Sequence, residues 1–135
     1  MTNTIPDTPR AIETGLARFT LSGLVLYVPL ETWVSWRYGL WNPFYLVDAI
    51  AMVLLFAGAM RSLAARPRRA PDLLCAAWAW AACNGWRATF GRVHAVIEGK
   101  PLDHGTAELW IVAVASAIAL GSFVLSLALM LRRDA

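Results

Sequence analysis

Apolar residues run through this chain in four long stretches rather than in alternating or one-sided patterns. They cover Ala17–Trp36, Phe44–Met60, Leu73–Phe90 and Ala107–Leu131. Each is close to the ~20 residues that cross the hydrocarbon core of a bilayer. A soluble bundle would give each stretch a polar face, and these lack one. A backbone in lipid must satisfy its own hydrogen bonds, so helices are expected and open strands are not. The spacing predicts an all-α fold, a polytopic membrane protein of four transmembrane helices in an up-down bundle. The predicted division is a polar segment over residues 1–16, a transmembrane domain over 17–131 and a tail over 132–135.

The polar punctuation fits this division. Thr8 and Pro9 suit a helix cap and first helical position, so the first helix can begin outside the bilayer. Tyr38-Gly39-Leu40-Trp41-Asn42-Pro43 reads as a tight turn. Residues 66–72 break the chain again, and Asp72 can cap the third helix. Residues 99–105 form the last predicted loop, and the third helix is expected to run past Phe90 towards it.

Composition sharpens the assignment. The chain of 135 residues is 59% hydrophobic and holds seven tryptophans. Its mean hydropathy is +0.53 and its pI about 9.3. The basic balance comes from arginines between apolar stretches, with no basic face carrying interleaved aromatics, which argues against nucleic acid. With four crossings, one side holds Arg10, Arg18, Arg61, Arg66, Arg68, Arg69, Arg132 and Arg133. The other holds Arg37, Arg92 and Lys100, with Arg87 nearby. This asymmetry predicts cytoplasmic N- and C-termini in a membrane of the bacterial inner (plasma) type. Trp33, Trp36, Tyr38, Trp41, Tyr45, Trp86 and Trp110 then gather at the outer interface, where amphipathic rings settle. No secretory signal is visible in the polar first 16 residues. Cys75 and Cys83 stand about 12 Å apart on one helix, too far for a bond.

Three charges interrupt the apolar stretches at one depth. Counted at ~1.5 Å per residue, Glu31 lies about 20 Å above Arg18, Asp48 about 18 Å above Met60, and Arg87 about 21 Å above Leu73. Leaving each alone in lipid is costly, so they are expected to meet. Arg87 is expected to pair with Glu31, Asp48 or both through its planar fork. Two acids against one arginine leave a formal charge of −1, so one acid is expected to hold a proton. Asn84, Gly91 and His94 share the stripe of Arg87 at helical spacing. Tyr27 sits one turn below Glu31, beside Pro29, which frees a carbonyl and can widen a pocket. The candidate pocket is therefore Tyr27, Glu31, Trp33, Asp48, Asn84, Arg87 and His94. An ion pair that only fixes helix packing is the competing reading.

Other features carry less. His94, His104 and Asp103 fall at the outer loop without a full metal-ligand set, and no metal or other cofactor is expected. Glu108 suits the start of the fourth helix. Ala113, Ala117 and Gly121, with Ser122 and Ser126 beside them, form a small-residue face suited to close packing within the bundle or against a second copy. No phosphate-binding glycine loop and no activated nucleophile are visible.

Glu31-Thr32-Trp33, followed by Trp41-Asn42-Pro43-Phe44 at the next helix start, resembles the four-helix sterol-isomerase and emopamil-binding family. The resemblance implies a cavity within the membrane, with Glu31 moving a proton and Trp33 facing a carbocation. Tyr27 stands where that family has a histidine, and Arg87 has no counterpart there. The likeness covers two short stretches.

Three functions are thus in view. The first is a non-catalytic protein that binds a membrane lipid or hydrophobic small molecule, or serves a larger membrane complex as an accessory subunit or homo-oligomer. The second is a small proton- or cation-coupled transporter working as a dimer. The third is an intramembrane enzyme acting on a lipid or isoprenoid, with Glu31 or Asp48 as the acid–base group.

Overall fold

A computed structural model of the protein describes residues 8–36, 39, 41–64, 72–102 and 105–134. The described chain is all-helical, with α1 at Thr8–Ser35, α2 at Pro43–Ala64, α3 at Asp72–Ile97 and α4 at Thr106–Asp134. Three of them are long and apolar enough to cross a membrane, over Pro9–Trp33, Pro43–Ala64 and Thr106–Arg132. The helix α3 has 26 residues, about 39 Å of length, and carries Asn84, Arg87, Arg92 and His94 among its apolar residues. The predicted turns at 38–40 and the loop residues Asp103 and His104 lie outside the described residues in part or whole, as do Arg37, Arg66, Arg68 and Arg69.

Local chemistry sets the helix ends. The Asn42 side-chain oxygen accepts from the Phe44 backbone N–H at 3.0 Å, while Pro43 occupies the first helical position, where its missing N–H costs nothing. Asp72 accepts from the Leu73 N–H at 2.8 Å and starts α3. At the other end of α3, Gly99 adopts a φ of 70°. The Lys100 N–H reaches back to the Ala95 carbonyl at 2.9 Å and the Gly99 N–H to the Val96 carbonyl at 3.0 Å. That double bond pattern with a left-handed glycine terminates a helix and feeds its last carbonyls. The helix α1 starts at Thr8, well before the apolar stretch, and continues through Pro29 to Ser35.

Consecutive helices pack side by side, and α1 touches α4 only lightly. Pairing is antiparallel. Thr32 meets Tyr45 across α1 and α2, Arg61 meets Asp72 across α2 and α3, and Arg92 meets Glu108 across α3 and α4. The bundle therefore has a hairpin end, where α1 gives way to α2 and α3 to α4, and a terminal end, where α1 begins and α2 and α4 finish.

The core occupies the terminal half. Leu16, Ala17 and Leu24 of α1 pack with Met52, Leu55 and Ala59 of α2, Leu74, Ala77, Trp78 and Ala82 of α3, and Ala119 of α4. Glycine allows the closest approaches. A Cβ on Gly58 would stand 2.8 Å from the Leu74 Cα, and one on Gly85 would stand 2.7 Å from the Ser116 Oγ. Trp78 braces the bundle diagonally, stacking on Phe19 and donating its indole N–H to the Thr20 Oγ1 at 3.2 Å. Thr20 in turn donates to the Leu16 carbonyl at 2.8 Å.

The small-residue face of α4 divides between the bundle and the outside, with Ser122 and Ser126 packed inside and Ala117 and Gly121 facing out. Ser116, Ala119, Ser122, Ser126 and Leu129 are the buried residues of α4. Ala117 and Gly121 are exposed, and a Cβ on Gly121 would meet open space. The packed face is thus one step around the helix from Ala113, Ala117 and Gly121, with hydroxyls in place of methyl groups.

Candidate functional site: the carboxyl pair at the hairpin end

Burial changes character along the bundle. Beyond Leu24, no residue of α1 from Val25 to Trp33 is buried, and none of α2 from Pro43 to Ile50. In this loosely packed half, α1 and α2 bring their acidic residues together. Asp48 of α2 lies in the field of Glu31 of α1, and also in the fields of Arg87 and Arg92 from α3. Both carboxyl groups are half-buried. Glu31 accepts a second hydrogen bond from the Ser35 hydroxyl, Oγ to Oε1, at 3.1 Å. One turn below, Tyr27 lies within the fields of both acids and is 37% exposed. Thr32 and the Tyr45 hydroxyl complete the seam at 3.2 Å. Thr32 keeps the Val28 carbonyl satisfied at 2.7 Å.

The predicted role of Arg87 needs correction. Its guanidinium forms no ion pair with Glu31 or Asp48 within 4.0 Å. It stands over the Phe44 ring instead, 5.7 Å from the centroid. Phe44 is the second residue of α2, so the side chain has climbed to the level where α2 begins. Long basic side chains take this course when a polar boundary is within reach. Arg87 acts on Asp48 through its field rather than through a bond.

The direct ion pair of this half belongs to Arg92. Its Nε donates to Glu108 Oε1 at 2.6 Å, with side-chain exposures of 32% and 17%, and its NH1 donates to the Ala88 carbonyl at 3.2 Å. Below it, Thr89 and Ser116 join their hydroxyls at 3.0 Å between α3 and α4. Arg92 and Glu108 face each other across the last turn, Arg92 before Gly99 and Glu108 just after Gly105, and that near-symmetry was the available signal.

The other predicted pocket residues scatter. Trp33 is 73% exposed. Asn84 turns back on its own helix and donates to the Trp80 carbonyl at 3.1 Å. His94 pairs with Glu98 at 3.1 Å on the surface, where Lys100 joins the same carboxylate at 2.6 Å. So Tyr27, Glu31 and Asp48 come together, Arg87 stands at their edge, and Trp33, Asn84 and His94 do not take part. Tyr45, Ser35 and Arg92 belong to the cluster without having been anticipated.

Two further groups bear on the chemistry of the bundle. The Trp86 indole N–H is buried with no hydrogen-bond partner among the described residues, and its ring rests against Phe90 at 5.6 Å. Glu13 is 4% exposed near the start of α1, on the face that carries Leu16, Ala17 and Thr20. Among the described residues, no three His, Cys, Asp or Glu side chains are placed to hold a metal ion. Cys75 and Cys83 are free thiols, the first buried and the second exposed.

Comparison with known proteins adds no relative: no family model, no curated protein and no solved structure matches the chain. The likeness to the sterol-isomerase family rests on its two short stretches alone.

Proposed function

We propose that the protein crosses the membrane four times, with both termini in the cytoplasm of a bacterial inner-membrane setting, and works by binding rather than by catalysis. The fourth crossing is α3. It is supported by a length of about 39 Å and by antiparallel packing between α2 and α4. The arginine asymmetry then sets the hairpin end outside.

The ligand is a hydrophobic molecule with a small polar head, a membrane lipid or a comparable apolar compound. It seats in the outer half, with its head at Tyr27, Glu31 and Asp48. The observation that carries this reading is the contrast in packing: a core closed up to Leu24 and Ala82, then an open half whose polar groups are half-buried. Closed helix packing normally shields intramembrane carboxyl groups; here the seam that holds them is open. The buried, unpartnered N–H of Trp86 supports the same reading, since it leaves a donor for an acceptor from outside the chain.

Purification in a mild detergent, followed by mass analysis of everything retained, tests the proposal. A stoichiometric lipid or small molecule is expected with wild type and is expected to be lost from Asp48→Asn and Glu31→Gln. Retention of a stoichiometric protein and no small molecule would move the reading to an accessory subunit of a larger complex. A preparation with nothing bound would remove it.

A second reading, a proton- or cation-coupled transporter, is favoured by one observation: neither Glu31 nor Asp48 is ion-paired with an arginine. Proton-driven uptake into vesicles that vanishes in both amide variants would establish it in place of passive binding.

A further inference from the structure

The helix α1 is held to the bundle at two levels and is unsupported between them. Below, Trp78 stacks on Phe19 and donates to Thr20, and Leu24 is the last residue of α1 in the core. Above, the Tyr45 hydroxyl of α2 meets Thr32 at 3.2 Å. Between the two, Val25, Leu26, Tyr27, Val28, Pro29 and Leu30 are exposed in succession. Six residues make more than one full turn, so no face of α1 is packed at this level.

Pro29 lies inside this stretch. It has no N–H to give the Val25 carbonyl, and its ring crowds that carbonyl, so this turn lacks a bond that stiffens the rest of the helix. Thr32 adds to the effect. Its Oγ1 donates to the Val28 carbonyl at 2.7 Å, a back-bond of the kind that bends helices. A hydroxyl carries one proton, so Thr32 accepts from Tyr45, and the Tyr45 O–H is the donor. Through Thr32, Tyr45 therefore ties α2 to α1 just past the proline.

We propose that Glu31–Ser35 is a flap, hinged at Pro29 and latched to α2 by the Tyr45 hydroxyl. From Pro29 to Ser35 the helix rises about 9 Å, and a change of kink of about 20° moves the tip by roughly 3 Å. No apolar core opposes the motion. Among the described side chains, Ser35 is the buried residue of the flap. Its hydroxyl bonds to Glu31 of the same helix at 3.1 Å and travels with it. The brace from Trp78 to Thr20 lies below the hinge and stays in place. The α3–α4 pair at this end is built otherwise. It is joined by Arg92 with Glu108 at 2.6 Å and Thr89 with Ser116 at 3.0 Å, and neither helix has an internal proline. The moving part is α1, and its opening admits molecules to the seam sideways, from the lipid phase.

This inference stands on the helix geometry and does not need the ligand reading. Distances between paired spin labels on the full chain in detergent test it, in a background with Cys75→Ala and Cys83→Ala. One pair, Trp33→Cys and Ile111→Cys, reports the flap against α4. A second pair, Ser22→Cys and Val124→Cys, reports α1 below the hinge. All four positions are exposed. Tyr45→Phe removes the latch hydroxyl and is expected to shift the flap pair to longer distances while the lower pair keeps its wild-type value. Adding Pro29→Ala restores the missing N–H and is expected to return the flap pair to one narrow, short distance. Thr32→Val removes the acceptor and serves as the latch variant if Tyr45→Phe does not fold. A flap distance that stays at its wild-type value in both latch variants overturns the proposal. So does an opening that persists with Pro29→Ala, or one that widens the lower pair equally. A flap that opens in a preparation retaining no small molecule would sink the binding reading and leave the hinge standing. A retained molecule with an immobile flap would do the reverse.

Discussion

The two halves of the bundle solve the same problem differently. The terminal half excludes everything but side chains. Leu74, Ala59, Ala77 and Ala17 are essentially inaccessible there, Gly58 lets α2 lie directly on the backbone of α3, and the polar groups near the core include the buried Glu13 and the Thr20 hydroxyl, tied to a carbonyl and an indole. The hairpin half is open between α1 and α2, carries acids, arginines and tyrosines, and offers exposed rings at Trp33, Trp36, Trp41, Phe44 and Trp110. Stability is concentrated where the chain is small and apolar. Ionisable and aromatic side chains are concentrated where packing is slack, and local stability differs along many proteins in this way. Helix association in lipid depends on close packing rather than on hydrophobicity, so the terminal half can hold the bundle while the other half moves.

Substitutions can break or sharpen this contrast. Gly58→Val has the largest expected effect, because the added carbons meet the Leu74 backbone and not a movable side chain. Overpacking of this kind costs about 2–3 kcal/mol, readable as reduced thermal stability in detergent. A tolerated valine would mean that the two helices are not in backbone contact.

Arg92→Ala comes next and probes the firmest point of the hairpin half. It leaves a largely covered Glu108 without its guanidinium. The cost should be about 1–3 kcal/mol, between exposed and buried pairs, and Arg92→Lys should recover part of it. Trp78→Phe keeps most of the ring and removes the N–H that reaches Thr20. A loss of about 1 kcal/mol is expected for one buried hydrogen bond, and it should be additive with Arg92→Ala because the two sites are far apart. Strong coupling in that double mutant would show that the halves are not independent.

Arg87→Ala is expected to do least, less than about 1 kcal/mol for an exposed cation over a ring. Had it paired with Glu31 and Asp48, its removal would have stranded buried charge and ranked among the most damaging changes in the chain.

That reversal marks what the sequence could and could not convey. Helix number and type were legible from length and hydropathy, and Asn42-Pro43 announced the start of α2 through cap chemistry alone. The positions of Glu31, Asp48 and Arg87 along their helices were legible too, because rise per residue is fixed. Azimuth was not. Arg87 and Arg92 are about 140° apart around α3 at 100° per residue. Which of them faces an acid depends on the rotation of α3 against its neighbours, and an all-round apolar helix records no such angle. The same blindness explains the α4 stripe. Alanine and glycine suit lipid and a helix neighbour equally well, so Ala117 and Gly121 gave no sign that the buried set would run through Ser116, Ser122 and Ser126 and leave those two out. Glu13 escaped notice because it precedes the apolar stretch, although its spacing from Ala17 and Thr20 puts it on the buried face.

The preference of each helix for its neighbours in sequence has a consequence for assembly. Loop closure is short for α1 with α2, α2 with α3 and α3 with α4, and the slight α1–α4 contact and the Trp78 brace from α3 to α1 reach further along the chain. Topology of that kind has low contact order and little entropy to overcome. During synthesis each new helix meets its principal partner already in place, and no helix waits for the last one to find where it belongs.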